Sequence, residues 1–329
     1  MIAREKVSIA GALNAGLRAA MESDDRVLLI GEDIGRLGGV FRVTEGLQKD
    51  FGGQRVIDAP LAESAIVGTS VGLAMRGYRP VIEIQFDGFV YPAYDQIVNQ
   101  VARLHFRSEG AVRMPIVIRI PYGGGIGAVE HHSDSPEAQF VLTAGLRVLA
   151  PATPHDAFWM VQQAIASDDP VVLMEPKRRY WETGPVGDTP DPMSASVVRR
   201  DGADLTLVTY GPMLRTCLDA ADAAAEDGLD LGVVDLRSLS PLDLGPVVES
   251  VRRTGHAVVV HEAQRTLGLG AEVATRLTQE CFYSLEAPVH RVTGYDLPYP
   301  PSRVEDDFLP DVDRILDTVD AVLAYGEAR

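Results

Sequence analysis

RVIDAPLAESAIVGTSVGLAMRGYRPVIEIQFDGFVYPAYD, residues 55–95, reads as strand, turn, helix and second strand. The apolar pair Val56 and Ile57 leads into Asp58-Ala59-Pro60, and Pro60 has no N–H to offer a neighbouring strand, so the strand stops there. Ile66, Val67, Ser70, Val71, Ala74 and Met75 then recur at helical spacing on one face. Gly68, Ser70, Gly72 and Ala74 keep the helix slim enough for another helix or a ligand to come close. Gly77 ends the helix, and PVIEIQF (80–86) has the unbroken apolar character of a buried strand. Glu63 opens the helix in an apolar setting. Two readings stand side by side: a carboxylate complementing the positive helix N-terminus, or a buried acid with a raised pKa that shares a proton with a ligand.

The same alternation extends in both directions. Ser8 is placed to cap a helix whose apolar face includes Ile9, Leu13 and Leu17. VLLI (27–30) is a strand, followed by the glycine-rich loop GEDIGRLGGVFRVTEGL, which is neither G-x-G-x-x-G nor a P-loop. Residues 90–107 predict a helix with Tyr94, Ile97, Val98, Val101 and Leu104 as its stripe. PIVIRIP (115–121), LRVLAP (146–151) and PVVLMEP (170–176) are strands, and Ser135-Pro136 and Thr153-Pro154 start helices. Residues 177–200 are rich in Pro and Gly without a period and read as a linker. Beyond it, strands at 204–210, 231–237, 256–262 and 289–294 alternate with helices near 213–227, 243–253, 270–280 and 311–325. The expected fold class is α/β with two doubly wound domains, residues 1–180 and 201–329, joined by a linker at 181–200.

The 329 residues suit two domains, and 46% hydrophobic content suffices for ordinary cores. No apolar run reaches the ~18–20 residues needed to span a bilayer, and the charged start MIAREKVSIAG does not read as a secretory signal. Cys217 and Cys281, the two cysteines, offer neither a disulfide framework nor zinc spacing and suit a cytoplasmic protein. A net charge of −17 argues against nucleic acid as partner. Residues 200–329 hold 23 acidic and 11 basic side chains, or −12, against 24 and 19, or −5, in residues 1–199. Both plain solubility and attraction of a basic partner account for that asymmetry.

Open α/β sheets bind ligands beyond the carboxyl ends of their strands. Three such ends carry candidate residues: Glu63, Gln85 with Phe89, and His131 with His132. Taken singly, a histidine in a glycine-rich loop is more often structural or solvated than functional, and Phe89 reads as core. Together an acid, an aromatic ring and an imidazole at one sheet edge make a candidate site.

GGVFRVTEGL, RVIDAPLAESAIVG, RPVIEIQFDGFVYPAYDQIVNQ, HHSDSPEA, DPVVLMEPKRRYW, VVDLRSLSPLD, VVVHEA and LEAPVHRVTGYDLPYPP together resemble the β subunit of the E1 component of 2-oxo acid dehydrogenase complexes. The resemblance spans essentially the whole chain. EIQF…PAYDQIVN, HSDSPEA and LEAPVHRVTGYD are most similar to the branched-chain member, while pyruvate and acetoin E1 β subunits share much of the frame. It implies a pyrimidine-binding domain followed by a transketolase C-terminal-like domain, thiamine diphosphate as cofactor, and an α2β2 heterotetramer. The diphosphate and its Mg²⁺ are then held mainly by the α subunit, whose G-D-G…N motif this chain lacks. Glu63 matches the glutamate that shares a proton with N1′ of the aminopyrimidine, a step that leads to loss of the C2 proton and attack on the 2-oxo carbon. Phe89, at a position where tyrosine is common in branched-chain enzymes, matches the aromatic beside the pyrimidine, with Gln85 nearby. His132 matches the active-site histidine that orients substrate or moves protons, also on the incoming lipoyl group. His131 occupies a variable position, and Tyr122 with glycines 123–125 shapes the pocket.

Some members hold a structural K⁺ on carbonyl oxygens, here around Ile116, Val117, Ala164, Ser167 and Asp169. The second domain is implied to support β–β contact and to dock the basic binding domain of the E2 acyltransferase, which the −12 charge suits. His261-Glu262 ends a strand there and reads as a subunit contact or a satisfied polar pair. The implied reaction is decarboxylation of branched-chain 2-oxo acids with acylation of E2 lipoyl groups; the pyruvate or acetoin enzyme is the alternative. A split transketolase or deoxyxylulose-phosphate synthase fragment requires sugar-phosphate anchors, and no basic cluster accompanies the site. A non-catalytic scaffold would not require Glu63 and His132.

Overall fold

The structure, a computed structural model, describes residues 6–325. It divides into two compact units: unit 1 runs to Tyr122 and resumes over Gln139–Met193, and unit 2 comprises Gly123–Ala138 and the chain from Ser194.

The elements up to residue 122 are β1 (Val7–Ser8), α1 (Ile9–Ser23), β2 (Val27–Gly31), α2 (Leu47–Phe51), β3 (Val56–Asp58), α3 (Glu63–Met75), β4 (Arg79–Glu83), α4 (Leu104–Arg107) and β5 (Val117–Tyr122). Next come α5 (Glu137–Val141), which straddles the boundary, then β6 (Arg147–Leu149), α6 (Pro154–Ala166), β7 (Val171–Pro176) and β8 (Thr183–Gly184). The main sheet of unit 1 runs β6-β7-β5-β4-β2-β3 with every neighbouring pair parallel. β2, β4, β5 and β7 are buried along nearly their whole length, as parallel strands covered on both faces are. The caps visible in the sequence form: Ser8 Oγ accepts the Gly11 N–H at 3.1 Å, and Thr153 Oγ1 accepts the Asp156 N–H at 3.1 Å. Ile9, Leu13 and Leu17 on α1 and Met160, Val161 and Ala164 on α6 share one buried core.

Four expectations need correction. The strand placed at 80–86 ends at Glu83, although Ile84 N–H still bonds Arg119 O at 3.0 Å. The helix expected over 90–107 is three pieces: a 3₁₀ turn Asp87–Ala93, a widened turn Gln96–Val101, and α4. Pro92 in the first piece has no N–H to give, which disfavours a continuous ladder. Met75, placed on the apolar face of α3, is 59% exposed. Residues 177–200, read as an irregular linker, contain β8, which pairs antiparallel with β1, and a further strand, β9 (Val197–Arg200). Edge positions draw such short segments in because their backbone groups need partners.

In unit 2, β9 is followed by β10 (Leu205–Thr209), α7 (Met213–Glu226), β11 (Leu231–Asp235), β12 (Ser238–Ser240), α8 (Gly245–Thr254), β13 (Ala257–Gln264), α9 (Leu269–Glu280), β14 (His290–Gly294), α10 (Glu305–Phe308) and α11 (Val312–Leu323). Its sheet runs β14-β13-β10-β11-β9, parallel except for β9. Among the described residues no helix is long and apolar enough to cross a membrane.

Candidate active site

The strand order of unit 1 fixes where its chemistry can sit. From β2 the chain adds β3 on one side and later β4 on the other, so β2 and β4 flank the point at which the winding reverses. Ligands of open α/β sheets bind at such a point, beyond the carboxyl ends. Glu32 follows β2, Glu63 follows β3 as the first residue of α3, and Gln85 follows β4.

Glu63 is buried, with 7% of its surface exposed. Glu32 is its charged neighbour. Burial raises the Glu32 pKa first and the Glu63 charge raises it further, while a hydrogen bond from the Ala62 backbone opposes both. Glu32 Oε1 is buried without a hydrogen-bond partner among the described residues. A buried carboxylate oxygen left unpaired is costly, and such exceptions mark places where another group is accommodated. Glu32 was missed in the sequence because the glycine-rich loop around it has no period. The available signal was an acid immediately after a buried apolar strand.

The loop that carries Glu32 is held from several directions. Asp58 Oδ1, at the end of β3, accepts the Gly35 N–H at 2.6 Å, and Thr44 Oγ1 donates to Ile34 O at 2.7 Å. Asn14 of α1 donates to Val43 O at 2.8 Å and Glu45 O at 3.0 Å. Gly35 is required by close approach: a Cβ there would stand 2.3 Å from Asp58 Oδ2 and 2.3 Å from Gln48 Nε2. On α3, a Cβ at Gly72 would meet nothing within 4 Å, and one at Gly68 would meet only the Gln96 side chain, at 3.6 Å. Within unit 1 the Gly68–Gly72 side of α3 is therefore open, while Ser70 and Ala74 are buried.

Gln85 Nε2 donates to Asp33 Oδ2 at 3.3 Å. Phe89 packs edge-on against Phe86 (5.8 Å) and Phe86 edge-on against Phe41 (5.6 Å), while Phe41 lies tilted against Tyr180 (5.0 Å). Tyr180 O–H donates to Glu175 Oε2 at 2.6 Å. Arg119 holds Glu175 through two nitrogens, at 2.6 and 2.9 Å, and Glu83 at 2.7 Å, all three side chains buried. The aromatic row thus stands on a buried ion network, and the guanidinium stays charged between two carboxylates.

His132 belongs to unit 2. It ends a 3₁₀ turn, Glu130–His132, half-buried and edge-on to the exposed His131 at 4.5 Å. Gly123 N–H bonds Asp134 O at 2.9 Å, closing the base of the loop. His261 Nε2 accepts the Gly270 N–H at 3.2 Å and Glu262 Oε2 accepts the Gly124 N–H at 3.2 Å, so this pair serves backbone donors.

The five positions expected around a monovalent cation meet in one corner of unit 1. Ile116 O accepts the Val171 N–H at 2.9 Å, and Ala164 O accepts the Ser167 N–H at 3.2 Å. Val117 lies beside Val171 in register, and Asp169 Oδ2 accepts from Arg147 at 2.9 Å. Arg79 donates to Ile165 O and Ser167 O, both at 2.9 Å, bringing positive charge onto carbonyls of that corner.

Two carboxylates at a winding reversal, one with an oxygen unspent, can accept hydrogen bonds from a bound group. The chain is also similar to known proteins. Residues 5–182 match the transketolase pyrimidine-binding domain, and residues 194–315 match the transketolase C-terminal domain. The chain is 59% identical over 316 residues, 95% of its length and 94% of the relative's, to the pyruvate dehydrogenase E1 component subunit beta of Leifsonia xyli. It is 53% identical to the 3-methyl-2-oxobutanoate dehydrogenase subunit beta of Mycobacterium tuberculosis, over 97% of this chain and 92% of that one. It is 46% identical to the 2-oxoisovalerate dehydrogenase subunit beta of Pseudomonas aeruginosa, over 88% and 87%. A solved split-gene transketolase, an inactive β4 tetramer, shares the fold with a TM-score of 0.79 at 21% identity, covering 98% of this chain and all of that one.

Proposed function

The chain belongs to the E1 β subunits of 2-oxo acid dehydrogenases, and we propose that with an α subunit it decarboxylates branched-chain 2-oxo acids and passes the acyl group to E2 lipoyl groups. The observation that carries the site is buried Glu63 coupled to Glu32, which keeps one oxygen unpartnered. Bound there, thiamine diphosphate would supply the electron sink for loss of CO₂. Glu63 is assigned to hold and return a proton at N1′ of the aminopyrimidine. Glu32 takes a ring N–H or a water with its free oxygen. Phe89 is assigned to pack on the ring, and its aromatic row gives that side an apolar wall. Gln85 is fixed through Asp33. His132 is assigned to orient the 2-oxo acid and to move a proton at the lipoyl sulfur.

The remaining parts are assigned by analogy with the family. The α subunit supplies the diphosphate and Mg²⁺ contacts in an α2β2 assembly, so this chain alone is inactive. A pyrimidine-binding domain over 1–180 and a transketolase C-terminal-like domain over 201–329 are assigned on the strength of the two family matches, over 5–182 and 194–315. Unit 2, with the acidic excess of residues 200–329, docks the basic binding domain of E2 in the cytoplasm. K⁺ is assigned to the corner around Ile116, Val117, Ala164, Ser167 and Asp169.

Two relatives named for branched-chain substrates support the substrate assignment. The relative at 59% identity is named for pyruvate and favours the second reading, the same chemistry with a smaller acyl pocket. The test of the site is Glu63→Ala in the assembled enzyme. Turnover is expected to fall by at least the ~10²–10⁴-fold typical of a lost proton-transfer group, with α2β2 assembly retained on gel filtration. Full activity in that variant contradicts the assignment.

A further inference from the structure

We propose that Glu305 and Tyr299 are positioning residues that clamp the histidine-bearing loop through its backbone. Residues 123–134 form an Ω-loop, its base closed by Gly123 N–H on Asp134 O at 2.9 Å. The first limb, Gly123-Gly124-Gly125-Ile126-Gly127, lies on the C-terminal segment of the same unit. Glu305 Oε1 accepts the Gly127 N–H at 2.8 Å. Glu305 Oε2 accepts the Gly125 N–H at 3.3 Å and the Tyr299 O–H at 2.8 Å. The Tyr299 oxygen in turn accepts the Gly125 N–H at 3.1 Å.

The two clamp side chains are 8% and 7% exposed, and Tyr299 is seated by Phe308, edge-on at 5.2 Å. The approach is too close for side chains on the loop. A Cβ on Gly124 would fall 2.1 Å from the Tyr299 oxygen, and one on Gly123 would fall 2.5 Å from Glu262 Oε2. Gly123, Gly125 and Gly127 have φ of +86°, +81° and +71°, which glycine adopts freely. The glycines therefore fit a template built from Glu262, Tyr299 and Glu305.

A carboxylate suits the task because it is acceptor-only, and bonds to it are stronger than those to a neutral group. An amide offers one oxygen and an NH₂ that cannot accept. Glu305→Gln thus keeps shape and removes one of two acceptor sites. Tyr299→Phe removes the shared hydroxyl while keeping the ring that packs on Phe308. His132 lies five residues beyond Gly127 on the same loop, so loosening the limb moves the imidazole. Small misplacements of a reacting group carry large costs, about 10²-fold for 1 Å.

The role in turnover rests on the function proposed above; the clamp itself does not. The experiment compares wild type, Glu305→Gln, Tyr299→Phe and Glu305→Asp, each assembled with the α subunit and thiamine diphosphate. Amide hydrogen exchange is read over residues 123–134, alongside kcat, KM and thiamine diphosphate affinity. Expected are about tenfold or faster exchange of the loop in Glu305→Gln, a kcat loss of at least tenfold, and unchanged cofactor affinity. Tyr299→Phe should give a smaller effect in the same direction, and Glu305→Asp should recover part of both. Unchanged exchange in Glu305→Gln and Tyr299→Phe overturns the clamp. Faster exchange with unchanged kcat overturns the positioning role. A wild-type enzyme inert toward 2-oxo acids overturns the function instead, and exchange still decides the clamp.

Discussion

Glu137, at the foot of the same loop, gives the sharpest quantitative test of unit 2. Its carboxyl is fully buried; Oε1 accepts the Tyr210 O–H at 2.6 Å, and Oε2 has no partner among the described residues. Burial raises its pKa from the ordinary 4.5 to about 7, with the Glu262 charge adding to the rise and the Tyr210 bond opposing it. His261, stacked on Tyr210 at 6.0 Å, offers no compensating charge because burial lowers its pKa to about 4. The sign follows from proton counts. Below pH 4.5 both folded and unfolded chains keep the proton. From 4.5 to about 7 the unfolded chain releases it first, so stability falls as pH rises. Above about 7 the full penalty is in force. At 1.36 kcal/mol per pH unit it amounts to roughly 3 kcal/mol, or roughly 6–12 °C in Tm for a unit of this size. Glu137→Gln removes the titration while its amide oxygen still accepts from Tyr210. The assay is calorimetric unfolding of both proteins at half-unit steps from pH 5 to 8.5. The difference in Tm, variant minus wild type, should rise across pH 5–7 by an amount of that order and then level off. Parallel profiles refute the buried proton, and a difference that falls with pH refutes the sign.

Arg119→Met leaves Glu83 and Glu175 buried without their cation; unit 1 should lose about 3–5 kcal/mol, read by thermal unfolding, and an unchanged Tm contradicts the network. His132→Asn should lower acyl transfer to a lipoyl domain more than decarboxylation followed with an artificial electron acceptor. Equal losses in the two assays contradict a role at the lipoyl sulfur.

The alternation of apolar strands and helices was legible because both faces of a parallel sheet are covered. VLLI, VVLM and VVVH carry that signal without help from partners. The caps at Ser8 and Thr153 were legible for the same local reason. β9 was not, because the four residues VVRR carry no strand period and acquire meaning only beside the free edge of β11. The broken geometry of 87–101 was hidden because its apolar stripe mimics one continuous helix and only Pro92 interrupts it. Glu63 stood out by its place at a strand-to-helix turn. Glu32 did not, since its significance comes from Glu63, thirty-one residues away in sequence. The membership of 123–138 in unit 2 was equally invisible: it depends on Glu262, Tyr299 and Glu305, which lie over a hundred residues downstream.

The most direct test of the central claim is 2-oxo acid decarboxylation by this chain with its cognate α subunit, thiamine diphosphate and Mg²⁺. It compares 3-methyl-2-oxobutanoate with pyruvate and includes the β chain alone. Expected are a higher kcat/KM for 3-methyl-2-oxobutanoate and no turnover without α. A preference for pyruvate contradicts the substrate assignment, and turnover by the β chain alone contradicts the shared active site.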